Sequence, residues 1–415
     1  MKHYQERARS DRRRGSALLY SLVIAILVAG LCVSLLGVNL TTGRARGETP
    51  GLRHSFYAAE AGLSDAYMRM SEGLLSVPPD APAHVGTPDE PIALGTSSYW
   101  VEITELDSRS LSLVSTGIDG RFKERLELII QEKPTGFFQF AAFGARGVVL
   151  DSNAFVDSYD SARGSYESQV KTGNDFAREN GNVGSNHDIV LKSNTDVHGN
   201  ATPGPSGVVD DSAPRVYVSG STDPAEEEFE LPPIEVPEIS SSGSVRGSSD
   251  IVLGPGEVHY DAIRMLGGTA LTIRGPATVV VDNLLMESNS ALVFETSGGP
   301  VDVYGTGDFV LESNSDVSTI SDSALDVTLW LSGDNMTRRA PARIQLGANS
   351  EFIGAIYAPN AFVRLASNFN IYGSIMCGFL DLSSFGELHF DEALLYDGEG
   401  SGDYDAMLWR PLPRE

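Results

Sequence analysis

A nine-residue phrase returns six times beyond residue 134: VVLDSNAFV around Asn153, IVLKSNTDV around Asn194, LLMESNSAL around Asn289, FVLESNSDV around Asn314, IQLGANSEF around Asn349 and VRLASNFNI around Asn368. Each copy is a β-prone run, a small residue, Asn, and a second β-prone run. Asn tolerates a left-handed backbone and hydrogen-bonds locally, so it suits a corner between two strands. Successive asparagines are 41, 95, 25, 35 and 19 residues apart, and the short intervals lie near twenty. Repeats of that size made of strands and polar corners predict a parallel β-helix, or β-solenoid, over residues 135–395, each coil resting on the last and the asparagines stacked. The long gaps imply interposed coils or loops.

Composition places the largest interruption. NATPGPSGVVDDSAPR and STDPAEEEFELPPIEVPEISSSGS concentrate Pro, Gly, Ser and acids, and PPIEVPE does not suit a sheet. A disordered or surface-loop insertion is therefore expected near 200–243. Strand signals resume from Asp250 to Leu331, and the last coils end near Leu394, leaving 396–415 as an acidic tail. The 43 glycines favour a turn-rich, mainly β protein.

The first 134 residues differ in character. Residues 1–15 form a basic leader ending in Arg12-Arg13-Arg14-Gly15, and residues 16–40 contain no charged side chain. As a helix this run measures about 37 Å, enough to cross a hydrocarbon core of about 30 Å. It exceeds the apolar region of a signal peptide, and the preceding arginines put the N-terminus in the cytoplasm. A single-pass protein of the cell membrane with an extracytoplasmic body is expected. After it, TTGRARGETPG predicts a flexible neck, and apolar residues at 52, 56, 59, 63, 66, 70 and 74 predict a helix with one apolar seam. Three alternating runs between Tyr99 and Glu132, with Asp119-Gly120 at one break, predict a small antiparallel meander.

The basic cluster, the Gly15-Ser16 junction, the immediate apolar run and FYAAEAGL at 56–63 resemble the N-terminal region of PilX-like minor pilins of type IV pilus systems. That resemblance implies processing by a prepilin peptidase between Gly15 and Ser16, and partners among other pilin-like subunits. One position departs from the pattern of major pilins, which carry Glu at the fifth residue after the cut; here it is Tyr20. The helix and meander extend the likeness to about residue 134. The second half resembles uncharacterised β-helical domains of bacterial envelope proteins, through the SN phrases and the IYAPNA and HFDEAL segments.

β-Helices also carry polysaccharide-cleaving enzymes, which need converging carboxylates. The candidates are Asp157 and Asp160 in VDSYDS, and Asp302, Asp308 and Asp316. Each lies in a turn-rich stretch where capping the backbone is the ordinary role of Asp. His187, His198, His259 and His389 show no metal-ligand spacing along the chain, and no nucleotide or hydrolase motif is present. Cys32 lies in the apolar run and Cys377 among apolar residues, so neither a disulfide nor a cysteine metal site is expected. A net charge of −26 argues against nucleic acid as a partner. The sequence thus predicts a non-enzymatic, membrane-anchored, pilin-like envelope protein without cofactor or metal. The alternative is an anchored carbohydrate-active enzyme or a binder of surface glycan.

Overall fold

The computed structural model describes residues 50–413 except 79–80, 108, 174, 335–343, 348 and 398–403. The basic leader, Gly15, Ser16, Tyr20 and the apolar span lie outside the described residues. Among the described residues no helix is long and apolar enough to cross a membrane. The chain is mainly β and divides into two compact units, one ending at Gln131 and resuming at Tyr404, the other spanning Glu132–Asp403.

The smaller unit is a helix on a sheet. Helix α1 spans Pro50–Ser71. The neck expected to run to residue 51 thus gives way to helix at Pro50, because proline is suited to a first helical turn, whose N–H groups have no partner in the helix. Ala59, Leu63, Ala66 and Met70 are buried as the seam requires, whereas Leu74 lies past the helix end and is exposed. Strands β1 (Ala83–Val85), β2 (Ile92–Leu94), β3 (Ser97–Asp107), β4 (Ser110–Asp119) and β5 (Phe122–Glu132) follow. Strands β3, β4 and β5 form the antiparallel meander, and Gly120 at φ +57° turns the chain from β4 into β5.

Two features were not expected from sequence. A Cβ on Gly117 of β4 would lie 2.0 Å from the carbonyl oxygen of Ser55 and 2.4 Å from the amide nitrogen of Ala59, so α1 rests directly on the strand backbone. The second is a correction: the stretch read as an acidic tail carries a strand, Tyr404–Pro411, beside β5. The acids cluster before it, while YDAMLWRP is itself β-prone. The Tyr67 hydroxyl donates to the Tyr404 carbonyl at 2.7 Å, and Arg410 pairs with Glu127 at 2.6 Å.

The larger unit is built from short parallel strands arranged in three columns. One ladder of inward residues shows the logic: Val279, Val303, Leu329, Ile356, Ile375, Ala142, Val183 and Ala201 are successive partners. All are at most 2% exposed. Each turn leaves one apolar edge that the next must cover, so the core is continuous through the stack.

The stacking order departs from the chain order. The expectation that each coil rests on the preceding one fails at two places. The turn 142–159 pairs with the last turn: Ile375–Cys377 lies on Ala142–Gly144, Leu380–Leu382 on Val148–Leu150, and Glu387–Asp391 on Phe155–Tyr159. From 142–159 the chain builds outward through 183–197 and 201–218. It then passes to the other end, where Ser244–Gly247 pairs with Ala262–Met265, and builds back to the middle.

The predicted insertion at 200–243 is corrected accordingly. Ala201–Thr202, Val209–Asp210 and Tyr217–Val218 are strands of the stack. In the strand-free remainder, Phe229, Leu231 and Ile234 pack against the core, because the crossing segment presents apolar side chains between its acids. Cys377 is buried, and burial raises its thiol pKa.

Candidate functional site

The asparagines of the repeated phrase form one corner of the stack. Asn153, Asn194, Asn289, Asn314, Asn349 and Asn368 all have φ between +57° and +65°. Asn194 Nδ2 donates to the side-chain Oδ1 of Asn153 at 2.9 Å, and Asn368 Nδ2 does the same to Asn349 Oδ1. Gly268, Phe385 and Arg215 also have positive φ. They stand where neighbouring turns make the same bend: Gly268 donates its N–H to Asn289, Phe385 to Ser152, and Asn194 to Pro214. The 95-residue gap between Asn194 and Asn289 therefore contains the crossing and corners made without Asn.

The junction between turns 142–159 and 370–391 concentrates buried ionisable groups. Asp157 and His389 are register partners on adjacent parallel strands. Asp157 Oδ1 lies 2.6 Å from His389 Nδ1, and its Oδ2 accepts from the Tyr166 hydroxyl and the Ala177 N–H, each at 2.9 Å. On the other side of the ring, His389 Nε2 lies 3.3 Å from Glu387. Tyr166 and Tyr372 pack against the imidazole with centroids 4.1 and 4.6 Å away. Burial opposes the charged imidazole, yet the hydrogen bonds that Asp157 and Glu387 accept from the ring raise the His389 pKa overall. Burial raises the Tyr166 pKa and Asp157 adds to it, so that phenol stays a donor.

A second group adjoins it. Arg178 pairs with Glu392 at 2.8 Å, and Glu392 also accepts from Ser158 Oγ and from the side chain of Asn180. Asp160 caps the short helix at 161–163 and faces Arg163 at 3.3 Å. Asp391 accepts N–H bonds from Ser161, Ala324 and Ala393. Burial raises the pKa of both Asp391 and Glu392 despite these bonds.

Of the five candidate carboxylates, the structure thus brings Asp157 and Asp160 into this junction. It does not bring the others: Asp302 accepts from Trp330 Nε1 at 2.9 Å on another column, Asp316 is exposed, and Asp308 lies on a different turn. Ser158 is turned to Glu392 rather than to the imidazole, and the oxygens of Asp157 are taken by three donors. The geometry suits clamping two turns together. Neither His389 and Tyr166 as partners of Asp157, nor Tyr372 against the imidazole, nor Arg178 as the partner of Glu392, was legible in the sequence. The one local signal was the HFDEAL phrase, which contains His389, Asp391 and Glu392.

An aromatic cleft of about 210 Å³ lies elsewhere on the stack, between Tyr304, Trp330, Tyr357 and Phe137 and the crossing segment Pro232–Glu235. Tyr304, Trp330 and Tyr357 are partners on successive strands. Tyr304 and Trp330 are stacked at 6.1 Å and 15°.

A family model described as a domain of unknown function (DUF7305) matches residues 191–396. No curated protein matches the chain. Among the solved structures that align, two superpose only loosely. An ice-binding protein from the Antarctic ascomycete Antarctomyces psychrotrophicus is 12% identical, with 60% of this chain and 94% of that one covered and a TM-score of 0.29. The competence-associated pilin ComZ from Thermus thermophilus is 12% identical, with 88% and 98% covered and a TM-score of 0.25.

Proposed function

We propose that this chain is a non-enzymatic, pilin-like envelope protein, anchored by residues 16–40, that displays a β-solenoid outside the cytoplasmic membrane as a component or accessory of a type IV pilus or related assembly or adhesion system. The observation carrying this reading is the smaller unit: a helix laid on an antiparallel sheet, following an uncharged 25-residue run. Its last strand comes from 404–411, so the stack is a large insertion between two strands of that unit in chain order. In this reading a prepilin peptidase cuts between Gly15 and Ser16, and other pilin-like subunits are the partners. The non-enzymatic part is supported by the junction carboxylates being engaged internally.

Mass measurement of the native N-terminus decides the pilin assignment. A chain beginning at Ser16 and fractionating with membrane or pilus material is the expected result; a chain beginning at Met1 refutes processing.

A second reading, recognition of a surface glycan, is favoured by the stacked Tyr304 and Trp330, since aromatic faces pair with the apolar faces of sugar rings. Retention of the full chain on a glycan panel, lost in Trp330→Ala, would support it.

A further inference from the structure

We propose that His259, Asp261 and Asp282 form a divalent transition-metal site, of the Zn²⁺ class, where the crossing segment joins the outer end of the stack. Spacing along the chain does not reveal it, because two of the ligands are separated by a full turn: His259 and Asp282 are 23 residues apart. The donor atoms of the three side chains all lie within 4.8 Å of one another. Ligand atoms about 2 Å from a tetrahedral metal sit at comparable or shorter separations, and one imidazole nitrogen with two carboxylates is a donor set that Zn²⁺ accepts.

The hydrogen-bond arrangement points to a cation. His259 Nδ1 lies 2.9 Å from the carbonyl oxygen of Ile239. A carbonyl only accepts, so Nδ1 carries a proton, and the ring in its neutral form presents a lone pair at Nε2. That nitrogen faces Asp282 Oδ1 at 3.2 Å, an oxygen that already accepts from Thr306 Oγ1 at 2.8 Å. In that neutral form lone pair faces lone pair, with the Asp261 carboxylate alongside. The trio is short of one positive centre, either a proton on Nε2 or a metal ion.

Each ligand is also oriented from outside the trio. Ile239 fixes the His259 tautomer, the Ser241 hydroxyl donates to Asp261 at 2.6 Å, and Thr306 holds Asp282. Such outer partners are what metal ligands ordinarily have. Ile239 and Ser241 belong to the crossing segment, and Ser241 bridges His259 as the first strand contact of the stack. A bound ion would therefore tie the returning chain to its first turns.

The test is calorimetric titration of the chelator-treated full-length chain with Zn²⁺ at pH 7.5 in the presence of excess Ca²⁺, which the abundant surface carboxylates would absorb. One saturable site per chain is expected. It should weaken at least about tenfold in both His259→Ala and the isosteric Asp282→Asn. It should also weaken as pH falls, since the proton competes for Nε2. The proposal is overturned by absence of a saturable Zn²⁺ site, by an unchanged site in both variants, or by an imidazole NMR spectrum showing His259 doubly protonated at pH 7.5 and indifferent to Zn²⁺. Asp282→Asn keeps the side-chain shape, and circular dichroism of each variant separates lost binding from lost fold.

Discussion

The two units achieve a closed core by opposite routes. In the smaller one, β3, β4 and β5 pair in chain order through short turns, and only the strand at 404–411 comes from far along the sequence. In the larger one the paired strands among the described residues are parallel partners a turn or more away, and the middle is sealed by a joint between 142–159 and 370–391. Local pairing tolerates a weak link because each hairpin is independently specified. A stack interrupted in its middle depends on the side chains that hold the joint, and there the buried charges are found.

The largest expected effect follows from that dependence. Asp157→Ala removes an acceptor from His389, Tyr166 and Ala177 at once and leaves a buried imidazole without its main partner. Breaking a buried pair in this way costs about 3–5 kcal/mol. The chain has three tryptophans, Trp100 and Trp409 in the smaller unit and Trp330 in the stack, so unfolding can be followed separately. Urea titration of a Trp100→Phe, Trp409→Phe background should show the Trp330 transition moving to much lower urea in the Asp157→Ala variant. An unchanged midpoint would remove the joint from the stability of the stack.

The same joint predicts a pH dependence. His389, Asp391 and Glu392 all have folded pKa values raised above their ordinary ones. A group with a raised folded pKa contributes stability that is full below its unfolded value and lost as pH rises through its folded value. For His389 that loss begins above about pH 6.5, and for the two acids it begins above the ordinary carboxylate range. Glu387, whose pKa is lowered by its hydrogen bond to His389, acts oppositely but only in stronger acid. The Trp330 transition should therefore need more urea at pH 5.5 than at pH 8. His389→Gln should reduce that difference, and a difference of the reverse sign would contradict the assignment.

In the smaller unit the sensitive place is a close approach rather than a charge. Gly117→Val puts side-chain atoms into the backbone of α1, and overpacking of this kind costs about 1–3 kcal/mol or more. The transition reported by Trp100 and Trp409 should shift while that of Trp330 stays in place; a joint shift would mean that the units unfold as one. The smallest effect belongs to the corners. Asn368→Val forces a β-branched residue to φ +57° and removes the bond to Asn349, costing roughly 1–2 kcal/mol, whereas Asn368→Gly keeps the bend and should lose less. Equal midpoints for the two variants would show that backbone conformation is not what these asparagines supply.

What could be read from sequence was local in cause. The six asparagines announce bends because few other residues accept positive φ, and the meander is visible because alternation along a strand reflects its own two faces. The apolar seam of α1 follows in the same way from helical period. What only the tertiary structure decided is which turn lies on which. Parallel pairing between strands leaves no mark in either strand beyond hydrophobicity, so nothing in VDSYDS names HFDEAL as its neighbour. The positions of the joint, the strand at 404–411 and the trio of His259, Asp261 and Asp282 are set by contacts across a turn or across most of the chain, where sequence spacing carries no information about distance.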